Sequence, residues 1–195
     1  MTKEVLKNIF KPVYKATEPP VSIIMPYNLE RMPYPIFICE NDEGIIVLGG
    51  KSIGHARVAG AKKAKNEWLV FVDSDAIYPP NYILEVKEYI KKQGDKTPIM
   101  AAKRLGGLFS NPPAHRLFAY EHGLIVRKDV FFERIKEYPK DAKGRADIGF
   151  YFKDAVPIPV KYYHGLTYGE KILLLTTFSL GVPLFISMLQ KRLSK

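Results

Sequence analysis

The sequence predicts an α/β fold, a central mostly parallel sheet flanked by helices. Three observations predict it. Residues 68–72, Trp-Leu-Val-Phe-Val, form an unbroken apolar run that stops at Asp73-Ser74-Asp75, the pattern of a strand buried on both faces. Two earlier apolar runs also finish in polar residues, at Pro26-Tyr27-Asn28 and at Glu40-Asn41-Asp42-Glu43-Gly44. Between these runs and after them, helical patterns alternate with further short apolar runs, as in βαβ units.

The elements follow in order. Residues 1–20 read as a basic amphipathic arm: Lys3, Lys7, Lys11 and Lys15 recur every fourth residue beside Val5, Leu6, Ile9, Phe10 and Val13. That spacing predicts a helix, lying on a membrane surface or docked on its own domain. Strands are predicted at 21–25, closed by Pro26, at 35–39 and at 45–48. Between the first two there is room for one helical turn at most. Ser52 to Asn66 is a helix whose Ala56, Ala59, Gly60 and Ala64 allow close approach to a sheet. After the Asp pair come a helix from Asn81 to Lys92 and a strand at 98–102. A loop follows from Arg104 to His115, long enough to act as a lid. Then come a strand at 123–126, a helix at 128–138, a short helix opened by Asp147, and an edge strand at 156–163 closed by His164.

The tail differs in kind. Residues 172–189 carry no charge, which is at the lower limit for a membrane span. A stripe of Thr176, Ser179, Pro183, Ser187 and Gln190 favours an interfacial or subunit-packing helix instead, and the cationic end argues against export. The organisation expected is an arm (1–20), one catalytic domain (21–168, with halves 21–97 and 98–168) and an apolar tail (169–195).

Bulk composition sets the class. With 47% hydrophobic and 26% charged residues the chain is globular rather than disordered. One cysteine excludes an internal disulfide and a cysteine metal cage, and lysines interrupt any N-terminal signal sequence. A cytoplasmic protein is expected, touching the inner membrane face through its termini. A net charge of +10 points to anionic partners such as nucleotides or lipid headgroups. No nucleic-acid-binding module is present, so nucleic acid is set aside.

The chemistry concentrates at the Asp pair. Alternation along a strand lets Asp73 and Asp75 lean to one side, where open α/β sheets bind ligands. Two adjacent carboxylates are costly without a cation, and a hard divalent ion, Mn²⁺ or Mg²⁺, is the natural compensation. The competing reading is a helix cap or turn. Upstream, the helix start Gly49-Gly-Lys-Ser-Ile-Gly54 offers free backbone N–H groups, with Lys51 and Arg57 near, as a seat for a pyrophosphate.

This order of motifs resembles the family 2 glycosyltransferases, which have the GT-A fold: Pro26-Tyr27-Asn28, an acidic cluster, Ala56-Arg57-Val-Ala-Gly60, and Asp73-Ser-Asp75. The resemblance covers residues 21–164 and implies a short member of that family. It implies that Pro26, Tyr27, Asn28 and an acid of the cluster, Glu40 or Asp42, hold the nucleotide, joined by Lys51, Arg57, Asp73 and Ser74. It implies that Asp75 holds the metal with Asp73, and with His164 as in some members. Ala146-Asp147 resembles the Glu-Asp pair whose Asp is the general base, with Ala in place of Glu; Asp147 also reads as an N-cap. The departures are Val58 where Asn is usual and the missing helix between strands one and two.

The expected function is metal-dependent transfer of a sugar from a UDP- or GDP-sugar to an acceptor hydroxyl, with inversion. The acceptor is a glycan, a lipid-linked molecule or a protein. Rival readings are a nucleotidyltransferase, a sugar-phosphate enzyme, and a non-enzymatic basic adaptor for membrane or nucleic acid. The first needs a Gly-rich loop after strand one, and residues 26–35 contain no glycine.

Overall fold

A computed structural model describes residues 8–28, 32–106, 123–142 and 148–164. Its centre is β2 (Val21–Tyr27), parallel to β4 (Glu43–Leu48) on one side and to β5 (Trp68–Phe71) on the other. Beyond β5 lie β8 (Leu124–Arg127), β7 (Ile99–Leu105), β9 (Val156–His164) and the two-residue β6 (Ala76–Ile77). The seven-stranded order is β4-β2-β5-β8-β7-β9-β6. β8 runs antiparallel to both its neighbours, β7 and β9 are parallel, and β6 is antiparallel to β9. The sheet is therefore parallel in its first half and mixed in its second.

Helix α1 (Ile53–Lys63) packs on β2 and β4, and α2 (Tyr82–Gln93) packs against β9 and a further strand, β3 (Ile36–Cys39). Helix α3 (Lys128–Arg134) and the 3-10 turns Ile135–Glu137 and Gly149–Phe152 complete the described chain. Alternate residues of β5 enter different cores. Trp68 and Val70 join Ile83, Val86 and Ile90 of α2, whereas Leu69 and Phe71 join Ala61 of α1 and Phe131 of α3. A strand covered on both faces needs apolar residues at every position, which is why this run is unbroken. Gly60 lies where a Cβ would come 2.4 Å from Ile24 Cγ2, so the small face of α1 serves close approach to β2.

Two expectations are corrected. The arm is a strand where it is described: β1 (Phe10–Tyr14) pairs in parallel with β3 in a separate two-stranded sheet. Pro12 is incompatible with a helix interior but tolerated in an edge strand. The ring of Phe10 lies over Gly44, where any side chain would collide with it. The second correction concerns β3, which lies outside the main sheet, so β4 is the neighbour of β2. Adjacent parallel strands need a crossover of about a dozen residues. Residues 28–35 are too few to place β3 there, whereas residues 28–42 suffice for β4. Pro26 also lies within β2 instead of closing it.

No helix among the described residues is long and apolar enough to cross a membrane. The apolar stretch 172–189 lies outside the described residues, as do Lys3 and Lys7.

Tyr82 yields a stability prediction. Its ring is buried against Tyr78, with centroids 4.8 Å apart, and its hydroxyl has no hydrogen-bond partner among the described residues. Burial pushes its pKa well up. Below the unfolded tyrosine value of about 10 both states keep the proton. Above it the unfolded chain ionises first, so stability falls by about 1.4 kcal/mol per pH unit until the buried group itself ionises. Tyr82→Phe removes this contribution to the slope and, at neutral pH, gains about 1 kcal/mol by deleting an unpaired polar group. Urea midpoints of both proteins at about pH 8 and about pH 11 measure it.

Candidate functional site

Asp73 and Asp75 leave the carboxyl end of β5, and β6 follows them at once. The register of β6 on β9 pairs Ala76 with His164 and Ile77 with Tyr163, so strand pairing brings His164 to Asp75 across the sequence. His164 Nε2 lies 3.1 Å from Asp75 Oδ1 and 3.6 Å from Asp73 Oδ2. Exposure grades across the trio: the His164 side chain is 7% exposed, that of Asp73 14% and that of Asp75 55%. The hydrogen bond to His164 holds the Asp75 carboxyl below the usual carboxylate range, against its partial burial and the nearby charge of Asp73.

Donor atoms of Asp73, Asp75 and His164 all lie within 4.8 Å of one another. Two carboxylates and an imidazole form a donor set that suits Mn²⁺ or another divalent ion. The residues present fit the metal that the sequence leads one to expect.

The turn carrying the carboxylates is braced from two sides. The Arg57 guanidinium, buried on α1, donates from Nη2 to Asp73 Oδ1 at 2.7 Å. From beneath, the Tyr78 hydroxyl accepts the Asp73 backbone N–H at 2.8 Å, and its ring stacks on Tyr162 with centroids 5.5 Å apart. Tyr162 precedes His164 by two residues on β9, so this stack ties the two ligand-bearing segments together. A cleft of about 500 Å³ opens beside the trio, walled by Met32, Tyr34, Ser74, Ile77 and Tyr163 with Asp75 and His164.

Comparison with known proteins places this arrangement. Residues 39–154, more than half of the chain, match the family described as Glycosyl transferase family 2. The chain belongs to glycosyl transferase family 2. Solved structures of S. aureus TarS share its GT-A fold. Residues 1–349 of TarS give a TM-score of 0.51 at 13% identity, covering 75% of this chain and 60% of that one. The same fragment in complex with UDP-GlcNAc gives 0.53 at 14% identity, with 76% and 58% covered. A further TarS structure gives 0.54 at 15% identity, with 75% and 36% covered. The chain thus spans 60% or less of the length of these structures. No curated protein matches the chain.

Within this family 2 fold the expected site residues divide. Asp73, Ser74, Asp75 and His164 come together. Pro26, Tyr27 and Asn28 stand at the carboxyl end of β2, the same edge of the sheet, and Lys51 is exposed just before α1. Arg57 reaches the site through Asp73, on which its guanidinium is engaged.

Glu40 and Asp42 do not belong here. Asp42 accepts the backbone N–H of Val21, the first residue of β2, at 3.1 Å, and that of Cys39 at 2.8 Å. It also binds Lys87 Nζ of α2 at 2.6 Å. Val21 and Tyr27 are opposite ends of a seven-residue strand, roughly 20 Å apart at about 3.3 Å per residue. Glu40 sits in the same turn, exposed, its N–H bonded to Tyr14 O at 3.0 Å. The displacement of β3 from the main sheet carried both acids to the wrong edge.

At the start of α1 one of the N–H groups is already taken. Ser52 caps it, accepting the His55 N–H at 3.1 Å, and its Oγ also lies 2.8 Å from the Tyr138 hydroxyl. Asp147 lies outside the described residues; Ile148, next to it, is buried. Sequence reasoning missed Tyr78 and Tyr162. A Tyr spaced three residues from the second Asp, before a Pro-Pro pair, was the one signal available, and it is indistinguishable from an ordinary turn residue.

Proposed function

We propose that this protein transfers a sugar from a nucleoside diphosphate donor to an acceptor hydroxyl, with inversion. The observation that carries this is the Asp73–Asp75–His164 trio at the strand ends of a family 2 fold. UDP is the favoured nucleotide, because a structure of similar fold holds UDP-GlcNAc.

On this reading Tyr27 and Asn28, at the end of β2, meet the nucleoside, with Pro26 beside them. Asp73 and Ser74 meet the ribose side, and Lys51 meets the phosphates. Asp75, His164 and Asp73 hold a divalent ion, which when bound neutralises charge on the departing diphosphate. Arg57 holds Asp73 against rotation, and Tyr78 holds its backbone, so the carboxylate does not reorganise during transfer. Asp147 takes the proton from the acceptor hydroxyl as that oxygen attacks the anomeric carbon from the face opposite the leaving group. The C1–O bond to the diphosphate breaks as the new one forms, and the anomeric configuration inverts.

Calorimetric titration of UDP, and separately of GDP, with Mn²⁺ present and absent tests this. The expected result is UDP binding that depends on the metal. Failure of both nucleotides to bind under either condition overturns the reading.

A further inference from the structure

We propose that the cleft beside Asp75 and His164 is an acceptor subsite for an uncharged sugar ring, held between Tyr34 and Tyr163. This rests on the transferase reading above and adds the class of acceptor to it.

Half of the large hydrophobic residues exposed among the described residues, Met32, Tyr34, Ile77 and Tyr163, gather on this one cleft. The tyrosines are 53% and 51% exposed. Such a concentration of apolar surface marks a binding site. Ile77 and Tyr163 are register partners on β6 and β9. They therefore project on the same side of the ladder, opposite the buried Ala76 and His164.

The cleft begins on the nucleotide side, where Met32 and Tyr34 follow Asn28 and Ser74 lines the wall, and runs toward the far edge of the sheet. In the order β4-β2-β5-β8-β7-β9-β6, Tyr27, Asn28 and Lys51 belong to the β4–β2 side. Ile77 and Tyr163, with Leu105 and Gly106 at the end of β7, belong to the opposite side. Asp75 and His164 line the cleft with Ile77 and Tyr163, so an acceptor there lies next to the ion's site, where the donor's diphosphate is held.

Charge then selects the occupant. On a chain of net charge +10, no lysine or arginine lines this cleft among the described residues. The carboxylate and imidazole among its lining residues, Asp75 and His164, are those that fit the metal. A phosphate or carboxylate on the acceptor would find no cationic side chain among these residues, and the ion's charge is already taken up by the donor diphosphate. A neutral pyranose loses nothing on that account: its C–H face stacks on the tyrosine rings and its hydroxyls point to water and to the trio.

The test is saturation-transfer NMR on the full chain with Mg²⁺ and UDP. The probes are methyl glycosides of glucose, galactose, mannose and N-acetylglucosamine, with glycerol 1-phosphate as the anionic counterpart. At least one glycoside is expected to receive saturation on its ring C–H protons. Its affinity is expected to fall about tenfold in Tyr34→Ala/Tyr163→Ala and to persist in Tyr34→Phe/Tyr163→Phe, which keeps both rings. Both side chains are half exposed, so the substitutions leave the fold intact, and thermal melting verifies this.

Three results overturn the proposal. The first is that no glycoside binds, or binds the alanine variant equally. The second is that glycerol 1-phosphate binds in preference. The third is that the alanine variant loses the advantage of UDP-GlcNAc over UDP, which assigns the rings to the donor sugar. If UDP itself does not bind, the transferase reading fails, and calorimetry shows that separately.

Discussion

Lys87→Met is expected to lower the stability of this protein by about 3–5 kcal/mol, the cost of stranding one member of a buried ion pair. The side chains of Lys87 and Asp42 are 1% and 0% exposed, with Nζ 2.6 Å from Oδ1. Without the ammonium, the Asp42 carboxyl is left with two backbone N–H partners and no solvent. Each kcal/mol is worth about 2–4 °C in a domain of this size, so the melting temperature is expected to fall by roughly 6–20 °C. Lys87→Met with Asp42→Asn is expected to recover part of the loss, short of the parent by about 1–3 kcal/mol for one backbone N–H left without an acceptor. No buried charge remains, but Val21 and Cys39 donate to different oxygens of Asp42, so the amide oxygen accepts from only one of them and its NH2 group faces the other donor. Nucleotide affinity of the folded double variant is expected to equal that of the parent, because the pair lies at the far end of β2. Loss of UDP binding at retained stability would return Asp42 to the site.

The second large effect is functional. Asp75→Asn is expected to abolish metal-dependent UDP binding and to lower sugar transfer by at least about a hundredfold, since it removes a ligand oxygen and a negative charge from the ion's site. Stability is expected to move by less than about 0.5 kcal/mol, because Asp75 is half exposed and its loss also relieves repulsion with Asp73. Asp73→Asn is expected to behave differently. Its carboxylate is the partner of a fully buried guanidinium, so it lowers both UDP binding and stability, the latter by about 2–4 kcal/mol. Calorimetry with Mn²⁺ and denaturant melts on both variants separate the two. Equal stability loss in both would refute the assignment of Arg57 as the support of Asp73.

Some of this was open to sequence reasoning because the causes are local. A strand buried on both faces needs an unbroken apolar run, so Trp68 to Val72 announced the centre of the sheet. A helix lying close to a strand needs small residues at helical spacing, so Ala56, Gly60 and Ala64 announced α1. Two carboxylates just past a buried strand announced the candidate cation site. The family motifs around residues 51–80 added the activity to this.

Other features depend on which strands become neighbours, and local pattern does not encode that. The segment of residues 28–35 was too short to carry β3 back beside β2, so β3 paired with β1 and took Glu40 and Asp42 away from the nucleotide side. Arg57 looked like a phosphate ligand until burial placed its guanidinium on Asp73. His164, a metal-ligand candidate by family resemblance, met Asp75 through the register of a two-residue strand on β9, and Tyr78 and Tyr162 became supports of the site through the same contact. The sequence by itself determined the strand, the helix and the carboxylate pair, because each follows from its own burial and periodicity. Only the tertiary structure decided which charges meet, because pairing a buried charge depends on partners that chain topology brings from far along the sequence.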